Sequence, residues 1–155
     1  MRLMDIIHPG SVIVPLKAVT KQDAIFELVD VLADQAGISS RQELKDAVWQ
    51  REMTRTTGLG YGIAIPHGKC RGCEKLSMAV GRTSTPIDFK SIDGKPVEII
   101  VLLASPPDQT GPHIHALARI TRIMTNDRAR MQIKQAPTSK ALYDLLSKLD
   151  SELPQ

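Results

Sequence analysis

The sequence predicts an α/β fold, a single layered domain with helices packed on a β-sheet. Short apolar runs of strand composition alternate along the chain with segments in which apolar residues recur at helical spacing. The 155 residues are 42% apolar and 24% charged, which is typical of one globular domain with a hydrophobic core. No internal repeat or linker interrupts them, so we expect one domain over residues 1–150 and a loose tail over residues 151–155.

The N-terminal part predicts a strand followed by a helix. Residues 11–16 have strand composition, and Pro15 places them at a sheet edge or a strand end. Thr20 and Asp23 have the spacing of a helical capping box, and Gly37 supplies the stop. The inner face of this helix carries Ala24, Ile25, Leu28, Val31 and Leu32.

A second helix and two strands are predicted next. Ser39 or Ser40 caps the helix, which we expect to fray over residues 51–57. Residues 76–80 and 97–104 predict strands, and the second is apolar enough to be central. The inner face of the helix carries Leu44, Ala47 and Val48.

The remaining segments predict a hairpin, a loop and two helices. Residues 86–94 form a loop or hairpin with a turn at Asp93-Gly94, and residues 105–112 form a proline-rich loop that we expect not to be helical. Thr138 or Ser139 caps the last helix. The inward stripes are His113, Leu117, Ile120 and Met124 in the first of these helices and Ala141, Leu142, Leu145, Leu146 and Leu149 in the last.

Composition excludes several classes of function. The net charge is only +3 with no basic run, and five aromatic residues leave little for stacking on bases, which argues against nucleic acid binding. The longest apolar run, residues 99–104, is far too short to span a membrane, so we expect no direct membrane insertion. An acid at position 5 argues against a signal peptide. We therefore expect a cytoplasmic protein whose two cysteines stay reduced.

The segment Gly58–Gly68 is the most informative in the chain. Residues 63–65 predict a buried strand fragment that stops at Pro66, and Gly68 would permit an unusual turn. A histidine fixed at such a break has one ring nitrogen held and the other free to attack, as a nucleophile requires. A histidine that merely packs at a strand end is the alternative; the tightly specified loop favours a functional His67.

Two further groups predict an anion site near His67. His113 lies at the start of a helix, where backbone amides favour a phosphoryl group, although it could simply cap or pack there. His115 points elsewhere and is expected to be solvated. Arg51 and Arg55 are one turn apart, and guanidinium groups suit phosphate oxygens, although a solvated helix end is the alternative.

The cysteines offer a different reading. His67, Cys70 and Cys73 are spaced so that they could hold zinc with His113 or His115 as fourth ligand, or Cys70 and Cys73 could be a redox-active thiol pair. A single Cys-x-x-Cys without a second pair is a modest signal. We therefore expect no metal and keep the zinc or redox site as an alternative.

The chain closely resembles the type 2 enzyme IIA domains of the phosphotransferase system, the fructose, mannitol and nitrogen-regulatory class. This resemblance implies an α/β fold with a mixed central sheet flanked by helices, and no cofactor. The matching segments, in order, are Arg51-Glu52, Thr56–Lys69, Pro86–Phe89, Asp93–Val97, Asp108-Gln109 and His113–Leu117.

The resemblance also implies roles for individual residues. His67 would be phosphorylated on Nε2, with its Nδ1–H held by a backbone carbonyl. His113 would donate a hydrogen bond to the phosphoryl oxygens and Arg51 would neutralise their charge. Arg55 departs from the family pattern, which has glycine there; an extra cation could hold phosphate or reshape the partner surface. The supporting phosphoryl-site residues would be Glu52, Thr57, Gly58, Gly68 and Arg55.

The implied activity is that of a histidine phosphocarrier. His67 would accept a phosphoryl group from HPr or an HPr-like protein and pass it to an enzyme IIB in sugar transport. A nitrogen-type regulator would instead bind target proteins according to its phosphorylation state, and the single-domain chain favours this version. A binding module that keeps the fold without phosphotransfer is the alternative from another class.

Overall fold

A six-stranded mixed sheet forms the centre of the computed structural model, which describes all residues from Met1 to Gln155. The strand order is β1-β5-β6-β3-β2, and β4 also pairs with β6. Strands β5 and β6 form an antiparallel hairpin, while β1 runs parallel to β5, and β3 and β4 run parallel to β6. The strands are β1 (Ile7–Ile13), β2 (Gly58–Gly60), β3 (Ile63–Ala64), β4 (His67–Lys69), β5 (Ser77–Ile87) and β6 (Val97–Ser105).

Helices cover both faces of this sheet, which confirms the predicted fold class. Thr20 caps α1 through a hydrogen bond from the Asp23 backbone N–H at 3.3 Å, although the reciprocal bond of a capping box does not form. Gly37 ends α1 with φ 68°, and Ser40 and Thr138 cap α2 and α5 as predicted. The helices are α1 (Lys21–Ala36), α2 (Arg41–Thr54), α3 (Thr110–Met124), α4 (Asp127–Gln135) and α5 (Ser139–Ser151), preceded by a 3₁₀ turn, Leu3–Asp5.

Strand β6 divides the hydrophobic core into two halves. Side chains alternate across a strand, and every residue of β6 except Glu98 is buried. Ile99, Val101 and Leu103 pack on the face covered by α3, α4 and α5. The residues between them pack on the face covered by α1 and α2. The central position predicted for this strand is therefore confirmed.

Two predicted strands have different bounds in the structure. The strand predicted at residues 11–16 is β1 at Ile7–Ile13, which ends before Pro15 because proline cannot donate to a ladder. The strand predicted at residues 76–80 continues as β5 to Ile87, and Pro86 lies where its pairing with β6 is irregular. The loop between these strands is a hairpin, with Gly94 at φ 71° in the predicted turn.

The helical boundaries also differ from the sequence prediction. Helix α3 begins at Thr110, so the prediction that residues 105–112 contain no helix is wrong. Pro112 is tolerated in the first turn because the N–H groups there have no intrahelical partner. Helix α2 continues to Thr54 instead of fraying from residue 51. Helix α4, capped by Asn126 through the Ala129 N–H, was not predicted at all.

The last residues contact the body of the protein. Arg119 is 5% exposed and forms an ion pair with Asp150 at 2.6 Å. It also donates to the Pro154 carbonyl oxygen at 2.7 Å, within the segment 151–155 that we expected to be loose. The Met4 backbone N–H donates to Asp150, so this ion pair joins both ends of the chain.

Candidate active site

His67 opens strand β4, opposite Leu103 of β6, and is half-buried. Its Nδ1 lies 2.9 Å from the Ile65 carbonyl oxygen, which can only accept, so Nδ1 carries the proton and donates it. Nε2 therefore keeps its lone pair. Buried side-chain polar atoms without a partner occur only in Ser11 and Ser91, so the unpartnered Nε2 of His67 reaches the surface. The expected bond from Nδ1–H to a backbone carbonyl is confirmed.

His113 faces His67 from the first turn of α3. The two ring centroids are 5.4 Å apart and the ring planes make an angle of 68°. His113 is 5% exposed, so its predicted inward orientation is confirmed, and His115 is exposed as predicted. The His113 Nδ1 lies 2.7 Å from Ser105 Oγ.

Both imidazoles are neutral near pH 7. Burial lowers the pKa of His67, and the charge of Arg51 lowers it further, whereas the bond to Ile65 and the charge of Glu52 act in the opposite direction. Burial, followed by the neighbouring His67 and Lys69, lowers the pKa of His113 to about 4. A neutral imidazole with a free Nε2 is the nucleophilic form.

The two arginines of the predicted anion site behave differently. Arg51, in the last turn of α2, is close enough for its charge to lower the pKa of His67. Its Nη1 donates to the Arg55 carbonyl oxygen at 2.8 Å, which fixes the guanidinium beside the helix end. Arg55 leaves the helix in an extended conformation, and its exposed side chain makes no hydrogen bond or ion pair. The structure therefore brings Arg51, but not Arg55, to His67.

Glu52 holds the loop that leads to the glycine-rich segment. It is 2% exposed and accepts from the Thr57 N–H at 2.8 Å and from Thr57 Oγ1 at 2.5 Å. Lys21 of α1 neutralises it at 3.0 Å and also donates to the Phe89 carbonyl oxygen. The sequence gave no physical role for this carboxylate, because its cationic partner is distant along the chain.

Gly58 and Gly68 are needed for close packing. A Cβ on Gly58 would lie 2.2 Å from Ser91 Oγ, and a Cβ on Gly68 would lie 2.9 Å from Val48 Cγ2 and 3.1 Å from the Val48 nitrogen. Gly68 lies in strand β4 and has no positive φ, so the unusual turn expected there is wrong. Its lack of a side chain instead lets β4, and with it His67, approach α2.

Sequence reasoning missed two residues near the histidines. Ser105 ends β6 and is completely buried against His113. Lys69 donates to Thr110 Oγ1 at 2.8 Å, so it ties β4 to the start of α3. The pairing of Lys69 with Ser105 across the sheet brings both to one place, but only the tertiary fold reveals it.

The cysteines do not complete a metal site. No group of three or more His, Cys, Asp or Glu residues is arranged to hold a metal ion, so the zinc reading has no geometric support. Cys70 and Cys73 are buried free thiols in the core beneath α1 and α2. Burial, followed by the neighbouring Cys70, raises the pKa of Cys73 to about 12, the opposite of a reactive thiolate.

The histidine pair lies at an open surface. The cavity between α3, α4 and α5 has a volume of about 410 Å³, and neither His67 nor His113 lines it. A second cavity, of about 650 Å³, lies beside α1 and also lacks both residues. An open site of this kind suits a macromolecular partner better than a small molecule that must be enclosed.

Comparisons with known proteins agree on one family. The family model described as "Phosphoenolpyruvate-dependent sugar phosphotransferase system, EIIA 2" matches residues 5–149. A nitrogen regulatory protein of Bradyrhizobium diazoefficiens is 35% identical over 147 residues, which are 95% of this chain and 95% of that protein. The PTS system fructose-specific EIIABC component of Bacillus subtilis is 28% identical over 150 residues, 97% of this chain but 24% of that protein.

A solved structure supports the same assignment. Nitrogen regulatory protein IIA-Ntr from Neisseria meningitidis has a TM-score of 0.84 and 26% identity, over 92% of this chain and 97% of that one. With its mixed sheet and paired histidines, the chain belongs to the type 2 enzyme IIA family of the phosphoenolpyruvate-dependent sugar phosphotransferase system. The family resemblance is confirmed. None of the helices has the length and apolar character needed to cross a membrane.

Proposed function

We propose that this protein is a cytoplasmic histidine phosphocarrier that accepts a phosphoryl group on Nε2 of His67 from HPr or an HPr-like protein. One observation carries the proposal: the Nδ1–H of His67 is bound by the Ile65 carbonyl oxygen, while Nε2 is free at the surface. Two neutral imidazoles and a fixed guanidinium at an open site suit transfer between protein surfaces.

The transfer exchanges one phosphorus–nitrogen bond for another. The Nε2 lone pair of His67 attacks phosphorus, the bond to the donor's ring-protonated phosphohistidine breaks, and the donor ring leaves as neutral imidazole with that electron pair. The Nδ1 proton stays on His67, so positive charge develops on its ring and the Ile65 carbonyl stabilises it. His113 and Arg51 are the proposed partners of the phosphoryl oxygens.

The supporting residues act on the geometry of this site in the proposal. Glu52 and Thr57 hold the end of α2 that carries Arg51, and Gly58 and Gly68 allow the close packing of the segment around His67. Arg55 is exposed, so it is proposed to contact the incoming phosphoryl group or the partner protein only in the complex.

Intact-mass analysis tests the phosphocarrier role. The protein is incubated with phosphoenolpyruvate, enzyme I and HPr, beside His67→Ala and the matched control His115→Ala, whose histidine is exposed on α3. We expect one acid-labile phosphoryl increment in the wild type and in the control, none in His67→Ala, and slower labelling in His113→Ala. Absence of the increment in the wild type, with an active cognate HPr, would leave the binding module without phosphotransfer as the better reading.

The recipient of the phosphoryl group is an enzyme IIB or, in a nitrogen-type regulator, no sugar transporter at all. The nitrogen regulatory relative is 35% identical along 95% of both chains, which favours the regulatory version. The experiment offers the phosphorylated protein to IIB domains from the same organism. Rapid loss of the phosphoryl group to a IIB would assign the protein to sugar transport; retention, with binding to a target protein that changes on phosphorylation, would assign it to regulation.

A further inference from the structure

Ser105 is the one polar contact of the second histidine. It ends strand β6, its side chain is completely buried, and its Oγ lies 2.7 Å from His113 Nδ1. Its backbone carbonyl accepts from the Cys70 N–H at 3.0 Å, which fixes the residue against the end of β4. The hydroxyl is therefore held in one position by the sheet.

The hydrogen-bond inventory decides which atom donates. A hydroxyl has one proton to give, and His113 Nδ1 is the only partner within hydrogen-bond distance of Ser105 Oγ. If Nδ1–H donated to Oγ, the buried hydroxyl proton would have no acceptor, at the cost of an unsatisfied polar group. The satisfied arrangement has Ser105 Oγ–H donating to an unprotonated Nδ1.

This direction determines the form of the His113 ring. A neutral imidazole has one N–H, so an unprotonated Nδ1 requires the proton to be on Nε2. His113 Nε2 makes no hydrogen bond within the protein and is not among the buried unpartnered atoms, so it reaches the surface near His67. The two histidines then have opposite tautomers: His67 presents a lone pair on Nε2, and His113 presents an N–H.

We propose that Ser105 is a positioning residue that holds His113 in the Nε2–H tautomer, so that His113 offers a donor to the phosphoryl group on His67. The catalytic part of this inference rests on the proposed function, whereas the tautomer does not. Without the Ser105 hydroxyl, a neutral His113 divides between two tautomers, and the Nδ1–H form turns an acceptor toward phosphoryl oxygens, which are acceptors themselves.

The first test is nuclear magnetic resonance of the unphosphorylated protein with ¹⁵N-labelled histidine at neutral pH. We expect His113 to show a protonated Nε2 and an unprotonated Nδ1 in the wild type, and His67 to show the reverse. In Ser105→Ala we expect the His113 signals to shift toward a mixture of tautomers while those of His67 stay unchanged. A wild-type His113 with its proton on Nδ1 would overturn the proposal.

The second test is the rate of phosphoryl transfer from phospho-HPr. Ser105→Ala is expected to slow it by roughly 2- to 12-fold, the equivalent of one neutral hydrogen bond. Ser105→Thr, which restores a hydroxyl donor, is expected to recover both the tautomer and the rate. An unchanged tautomer and rate in Ser105→Ala would overturn the proposal, as would an equal loss in a well-folded Ser105→Thr.

The two tests separate this inference from the phosphocarrier role. Far-ultraviolet circular dichroism and the unchanged His67 signals establish that Ser105→Ala is folded. If the wild type is not phosphorylated at all, the proposed function fails, yet the ¹⁵N spectra still decide whether Ser105 sets the tautomer. If phosphorylation occurs but Ser105→Ala behaves like the wild type, only the role of Ser105 fails.

Discussion

Glu52→Gln is expected to lower the free energy of unfolding by about 2–3 kcal/mol. The Glu52 carboxylate has no exposed surface and receives three contacts, two from Thr57 and one from Lys21 at 3.0 Å. Glutamine keeps the size of the side chain and one acceptor oxygen but removes the charge. Lys21 then retains only the Phe89 carbonyl oxygen as an acceptor.

The magnitude follows from the difference between charged and neutral hydrogen bonds. A bond to a charged group contributes about 1.5–3 kcal/mol and a neutral one about 0.5–1.5 kcal/mol, so each of the three contacts loses about 1 kcal/mol. Removing one partner of a fully buried ion pair costs about 3–5 kcal/mol. Lys21 is still 14% exposed, so the loss falls below that range. In a chain of this size it lowers Tm by roughly 4–12 °C.

Urea unfolding, followed by Trp49 fluorescence and by circular dichroism, measures this loss. The matched control is Glu98→Gln, because Glu98 forms an ion pair with Lys134 at 3.2 Å but is 44% exposed. Such exposed pairs contribute about 0–1 kcal/mol, so the control is expected to stay close to the wild type. Equal unfolding free energies for Glu52→Gln and Glu98→Gln would refute the reasoning.

Three further predictions concern packing, pH and thiol reactivity. Gly68→Ala is expected to cost about 1–3 kcal/mol in urea titrations, whereas Gly111→Ala, where the new methyl meets open space, stays within about 0.5 kcal/mol; similar losses would contradict the packing argument. The pKa of His113 is about 4 in the folded protein and 6.5 otherwise, so the unfolded chain binds more protons between those values. Stability should therefore fall as the pH drops from 6.5 to about 4, and less steeply in His113→Gln; identical slopes would count against this. Because burial raises the pKa of Cys73 to about 12, iodoacetamide should label it slowly in the native protein and quickly in denaturant, and fast native labelling would be inconsistent with that burial.

Local patterns predict the long elements of this fold well. Helix α1 combines an apolar stripe with a threonine cap and a terminal glycine, and α5 has a similar stripe and cap, so both follow from neighbouring residues. The buried strand β6 is recognisable because nearly every residue is apolar. Strands β2 and β4 are three residues each and exist only because neighbouring strands pair with them, which no local pattern contains.

The candidate site divides in the same way. Its main histidine is marked by the proline and glycines around it, and the resemblance supplies the positions of the second histidine and Arg51. The function of Glu52 depends on Lys21, and that of Ser105 depends on His113; both pairs meet only when helices pack on the sheet. Arg55 looked equivalent to Arg51 by helical spacing, but the helix ends between them.

The most direct test of the phosphocarrier role is to identify the phosphorylated nitrogen by ³¹P and ¹H–¹⁵N spectroscopy of the protein after transfer from phospho-HPr. Because the Ile65 carbonyl oxygen holds Nδ1–H of His67, we expect a single phosphorus–nitrogen bond at Nε2 of that residue, with Nδ1 still protonated. A phosphoryl group on Nδ1, or on any other residue, would contradict this assignment.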